Sequence, residues 1–140
     1  MNKNEKLSDL LRSEFYILDL EYTSWPGSNE NNWSAPGEHR EIVEIGAIKI
    51  VNHKNTYVID EEFSCLVLPN INKKLSEYFI NLTGIRQSEL DKNGLKFQKA
   101  LDLLCSFIDF NKIICSFGPD IKVIEENIKL NKSKTIINKK

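Results

Sequence analysis

The chain has 140 residues, 41% hydrophobic and 28% charged, which is the make-up of one globular domain long enough to bury a core. No apolar run approaches the ~18–20 residues of a membrane helix, and no apolar segment follows Met1–Lys6, so neither a spanning segment nor a secretory signal is expected, and a cytoplasmic location is. The net charge of −1 is uneven: residues 129–140 hold five lysines and no acid, leaving the body acidic and without a basic field for strong nonspecific nucleic-acid binding.

In chain order, residues 1–13 read as a lead-in in which 5–13 could form a short helix. Phe15-Tyr16-Ile17-Leu18-Asp19-Leu20 is a nearly continuous apolar run and reads as a buried strand over 14–21. Residues 24–39 hold Pro26, Gly27, Asn29, Asn31, Asn32, Pro36 and Gly37 and form a long loop, of a length that is often functional. Trp25 and Trp33 on it have two readings. One stacks on a nucleobase, worth ~1–3 kcal/mol per base, or both pin the loop to the body. Strands over 41–51 and 57–68 flank His53-Lys54-Asn55, a tight polar turn, and so form an antiparallel hairpin. Residues 74–81 read as a helix with Leu75, Tyr78, Phe79 and Leu82 on one face, ended by Gly84 in a left-handed cap. Ser88–Asp91 is a turn or short helix, and 96–108 an amphipathic helix with Phe97, Ala100, Leu101, Leu104 and Ile108 inward. Residues 113–117 read as a short apolar strand, followed by a helix over 120–130 with Asp120 near its start. Cys65, Cys105 and Cys115 lack metal-site spacing and read as reduced core thiols, and His39 and His53 as surface residues.

The chemistry concentrates on the first strand. Asp19 and Glu21 stand at i and i+2, so both carboxylates leave the strand on one face. Two like charges that close repel, and burial adds to the cost. A divalent cation offsets both, because hard cations prefer carboxylate oxygens. The plain alternative is that the pair marks where the strand surfaces into solvent. The order of elements suits an α/β domain with an antiparallel three-strand ribbon and a parallel strand after a helical crossover.

Four stretches carry a resemblance: Phe15–Thr23 with its D-x-E, the I-x-E-I-G-A-like strand around Glu44-Ile45-Gly46-Ala47, Leu82-Thr83-Gly84-Ile85, and Phe117-Gly118-Pro119-Asp120. Over about residues 14–128 the chain resembles the DEDDh 3′–5′ exonucleases of the DnaQ and RNase T superfamily, in the KapD-like and ERI-like branch. The resemblance implies an RNase H-like mixed sheet and two Mg²⁺ or Mn²⁺ ions held by Asp19, Glu21 and Asp120 as the catalytic acids. It implies that Leu20, Thr23, Leu82, Thr83 and Gly84 cradle the terminal nucleotide. The partner it implies is the 3′ end of a single-stranded nucleic acid, RNA rather than DNA. Residues 129–140 fall outside it as a basic tail.

The chain departs from the family pattern twice. The segment from Phe117 to Asp120 is one residue short of the common spacing. After Asp120 there is no histidine followed five positions later by an aspartate, and neither Glu125 nor Glu126 has such a partner. The expectation is therefore an amino-terminal piece of such an exonuclease, without the final strand and helix. Two other readings stand beside it. A non-catalytic binding module or pseudoenzyme would hold 3′ ends uncut, having lost general-base catalysis, typically ~10²–10⁴-fold. A different metal-dependent phosphohydrolase would use Asp19, Glu21 and Glu44.

Overall fold

The computed structural model describes residues 13–135 and 137. The expected lead-in helix and the last lysines of the tail lie outside the described residues. The elements are β1 (Glu14–Tyr22), α1 (Ser28–Asn31), β2 (Ile42–His53), β3 (Thr56–Leu68), α2 (Glu77–Thr83), α3 (Gln87–Asn93), β4 (Leu95–Lys96), α4 (Phe97–Phe107), β5 (Ile113–Ser116) and α5 (Asp120–Leu130). The sheet runs β4-β3-β2-β1-β5. β1, β2 and β3 form the antiparallel ribbon, and β5 adds to β1 in parallel through the α4 crossover. The two-residue β4, beside the end of β3, was not expected, because so short a pairing has no sequence period.

The hairpin between β2 and β3 turns where expected, with Lys54 and Asn55 both at positive φ, the geometry of a tight two-residue hairpin turn. β1 alternates strictly. Tyr16, Leu18 and Leu20 are buried and meet Ile45 and Ala47 of β2, Ala100, Leu101 and Leu104 of α4, and Val123 and Ile124 of α5. The reading of β1 as buried on both sides needs correction. Ile17 is 39% exposed, because only one end of the opposite face is covered. There Val43 packs with Leu75, Phe79, Ile85 and Leu90 beneath α2 and α3.

The helix expected over 74–81 begins later. Ser76 is its N-cap, accepting the Phe79 amide at 3.0 Å, and Gly84 closes it at φ 78°. Leu75 and Phe79 enter the core, but Tyr78 and Leu82 are exposed: a step of one residue on a helix turns about 100°, so the two pairs lie on different faces. Phe117 also departs from expectation, lying past the end of β5 and fully exposed. Cys65 and Cys105 are half-buried free thiols, but Cys115 is exposed, since it stands on the uncovered side of β5. His39 is half-buried within a turn, and His53 is exposed at the hairpin.

Candidate nuclease site

Asp19 pairs across the ladder with Gly46, and Glu21 with Glu44. The alternation that buries Leu18 and Leu20 therefore puts Asp19 and Glu21 on the open face, near the carboxyl end of β1. Asp120 arrives from the carboxyl end of β5, as the first residue of α5, and is buried (3% exposed). The three acids thus stand at the ends of two parallel strands, the usual location of ligand sites in α/β sheets, and near enough for their charges to act on one another.

Electrostatics mark the same place. Burial and then the Asp19, Glu44 and Asp120 charges raise the Glu21 pKa. Burial and then Asp19 raise that of Asp120, against hydrogen bonds from the Ser116 side chain and from the backbone at Asp120 and Leu20. Glu44 is raised by burial, then by Glu89 and Asp19. It is therefore one of the clustered acids and more than a solvent-facing strand residue. Burial and mutual repulsion both disfavour the charged forms, and a bound cation would offset both.

The fit to a divalent ion has two sides. Asp120 Oδ2 is a buried acceptor with no hydrogen-bond partner, which a metal would satisfy. Yet among the described residues no three His, Cys, Asp or Glu side chains converge into a ready-made metal cage. The donors have the right chemistry for hard cations, with the coordination set left open. Asp19, Glu21 and Asp120 are the side chains that would hold the ions.

Beside Glu21 lies a pocket of about 240 Å³. Leu20, Ser24 and Trp25 form one wall, and Tyr78 and Leu82 of α2 the other. The two tryptophans share one of the two roles. Both line the pocket, and Trp33 also pins the loop through Nε1, which donates to the Thr23 carbonyl at 2.7 Å. Its ring also meets Tyr22 edge-on, and the Arg40 guanidinium lies 4.9 Å from its centre. Arg40 binds the Glu126 carboxylate in fork geometry at 2.7–3.0 Å, tying loop 24–40 to α5.

Of the residues expected to cradle a nucleotide, Leu20 and Leu82 line this pocket. Thr23 lies behind it, its Oγ1 donating to the His39 carbonyl at 2.6 Å and accepting the Glu41 amide at 3.0 Å. Thr83 Oγ1 donates to the Phe79 carbonyl and accepts the Ile85 amide, and Gly84 ends the helix. These two shape the turn behind Leu82. Sequence reasoning missed Tyr78 as a pocket residue; the signal available was its i, i+4 spacing from Leu82, one aromatic–aliphatic stripe beside the core stripe. A cleft of about 570 Å³ beside Leu68, Phe97 and Asn131 holds none of the clustered acids, whereas one of about 550 Å³ between β1, β2 and β3 includes Asp19. Chemistry, not volume, locates the site.

A mixed sheet of this order, with acids at the end of β1 beside its parallel neighbour β5, is the RNase H-like arrangement. The nuclease domain of 3′hExo, described as a DEDDh family member bound to rAMP, superposes with TM-score 0.70 at 23% identity, over 88% of this chain and 62% of that one. A 3′-exonuclease solved for its 3′-end-specific recognition of histone mRNA stem-loop gives 0.70 at 24%, over 92% and 47%. Human ERI1 exoribonuclease 2 is 30% identical over 107 residues, 76% of this chain and 14% of that protein. The family profile described as Exonuclease, of the RNase T type, matches residues 16–139. The chain belongs to this family, in its DEDDh, ERI-like branch. It spans less than two thirds of the length of each of these relatives.

Proposed function

We propose that the chain is a 3′–5′ exonuclease domain acting on single-stranded RNA through two Mg²⁺ or Mn²⁺ ions. The observation that carries this is the meeting of Asp19, Glu21 and the orphaned Oδ2 of Asp120 beside a pocket walled by Leu20, Trp25, Tyr78 and Leu82. Bound there, two divalent ions would activate a water and stabilise the attacking and leaving oxygens at phosphorus. Asp19 and Glu21 present their carboxylates from a paired strand, which holds their spacing without further ordering cost. Asp120 supplies the third carboxylate from the rigid start of α5. Trp25 stacks on the terminal base, and Tyr78 and Leu82 close the other side. Glu21 lines the pocket, so a terminal nucleotide held there has its phosphodiester beside the acids. RNA is favoured because the 3′-exonuclease solved with the histone mRNA stem-loop recognises an RNA 3′ end.

One observation supports a second reading, a module that holds 3′ ends with little cleavage. Neither histidine lines the pocket, so no imidazole stands ready as general base. A single assay separates the two. Single-stranded RNA and DNA labelled at the 5′ end are incubated with the protein and Mn²⁺, beside Asp19→Asn and a substrate carrying a 3′-phosphate. The exonuclease reading predicts a ladder shortening from the 3′ end, faster on RNA and absent with Asp19→Asn. Retention of RNA in a filter-binding assay without shortening would move the binding module ahead. Neither binding nor cleavage by a folded protein would sink both.

A further inference from the structure

Glu41 lies just before β2 and is 1% exposed. A buried carboxylate needs compensation, and here three backbone amides supply it. Asn70 and Ile71 donate to Oε1 at 2.7 and 2.8 Å, and Asn72 to Oε2 at 2.6 Å. These amides begin the loop from β3 to α2. On its other side the Glu41 backbone is fixed to the end of β1: its carbonyl accepts the Thr23 amide at 2.8 Å, and its own amide donates to Thr23 Oγ1. Further along the same loop, Ser76 Oγ donates to the Ser24 carbonyl and caps α2.

Glu41 therefore joins both walls of the pocket without lining it. One wall continues from Thr23 to Trp25, and the other from Asn72 through Ser76 to Tyr78 and Leu82. We propose that Glu41 is a positioning residue for the terminal-nucleotide pocket, its carboxylate setting the distance between the Trp25 wall and the α2 wall. This rests on the exonuclease reading of that pocket. The carboxylate is chemically required, since three donors converge on it and an amide would turn an N–H group toward one of them. Asp19, Glu21 and Asp120 are held differently. They ride on β1 and on α5, which Asn127 ties to β2 through the Ile42 amide and the Arg40 carbonyl. The Glu41 carboxylate itself bonds the amides of Asn70, Ile71 and Asn72 and none of these three acids.

The test compares Glu41→Gln and Ser76→Ala with the wild-type chain. AMP affinity is read from Trp25 fluorescence in saturating Mn²⁺, and Mn²⁺ affinity by electron paramagnetic resonance. AMP affinity should fall by about tenfold or more in both variants, as a small misplacement of a binding wall does, with Mn²⁺ affinity unchanged. A variant that binds AMP as the wild type does, while amides 70–72 exchange hydrogen faster, overturns the proposal and makes Glu41 merely structural. AMP and Mn²⁺ affinity falling together also overturns it, as general destabilisation. If Glu41→Gln does not fold, Glu41→Asp, which keeps the carboxylate but shortens its reach to the amides of 70–72, is read in its place against the same outcomes. A folded wild type that binds no AMP removes the exonuclease reading and this proposal with it; the other two negative results leave that reading standing.

Discussion

Asp120→Asn should stabilise the metal-free protein and abolish most of its stabilisation by Mn²⁺. In the wild type, Asp120 Oδ2 is buried without a partner, and the Asp19 charge and burial both raise its pKa. An unsatisfied buried acceptor costs about 1–3 kcal/mol, and more when charged. Asparagine keeps one oxygen for the Ser116 and Leu20 hydrogen bonds and turns a donor toward the negative field of Asp19. The expected gain is about 1–2 kcal/mol without metal, or a melting temperature roughly 3–8 °C higher for a domain of this size. The pH dependence has a definite sign. A carboxyl whose folded pKa is raised contributes stability below its unfolded value, here 3.8, and loses it as pH rises through the folded value. The advantage of the variant should therefore be small at pH 4 and full at pH 7. With Mn²⁺ at a hundred times its dissociation constant the wild type gains about 2.7 kcal/mol and overtakes the variant. Thermal unfolding in EDTA and in Mn²⁺ reads both effects. A variant less stable than wild type in EDTA at pH 7 would refute the reasoning, since the hydrogen bonds to Asp120 would then outweigh its buried charge.

Trp25→Ala should weaken AMP binding by about 1–3 kcal/mol with an unchanged melting temperature. Trp33→Phe should lose about 1–2 kcal/mol of stability with its indole hydrogen bond and Arg40 contact; chemical denaturation beside AMP titration checks both. Leu104→Ala, at a fully buried position between α4 and the sheet, should cost about 2–5 kcal/mol. Thiol labelling at pH 8 followed by peptide mass mapping should modify Cys115 first and Cys65 last. Burial and Glu44 push the Cys65 thiol up to about 11, leaving little thiolate, whereas Cys115 is exposed.

What the sequence disclosed depended on how local the signal was. The β2–β3 hairpin, the Gly84 cap and the helices holding Leu104 and Asp120 follow from short periods and turn residues, and they stand where expected. The D-x-E pair needed only strand alternation to be placed on one face. The covering of that face was not legible, because it depends on which helices pack there, and Ile17 and Cys115 were read as core on apolarity alone. The pocket was legible in part. Leu20 and Leu82 line it, but Tyr78 required the rotation of α2, which Leu75 and Phe79 fix by burying themselves beneath it. Glu41 gave no signal, since a carboxylate that binds backbone amides has partners of no particular residue type.

The family's final histidine and aspartate are the other reason for weighing this site by its own residues. Arg40 engages Glu126 in fork geometry, so that acid is committed to holding α5 to the tryptophan loop. Among the described residues, the acids whose charges act on one another at the end of β1 include Asp19, Glu21, Asp120 and, opposite Glu21, Glu44.

The most direct test is a Mn²⁺ titration of the wild-type protein and of Asp19→Asn and Asp120→Asn, followed by electron paramagnetic resonance. A shared carboxylate site predicts saturable binding in the wild type, weakened at least about tenfold by either substitution, as loss of a charged ligand requires. Equal binding by all three proteins, or none by the folded wild type, would contradict the assignment of these acids as a cation site.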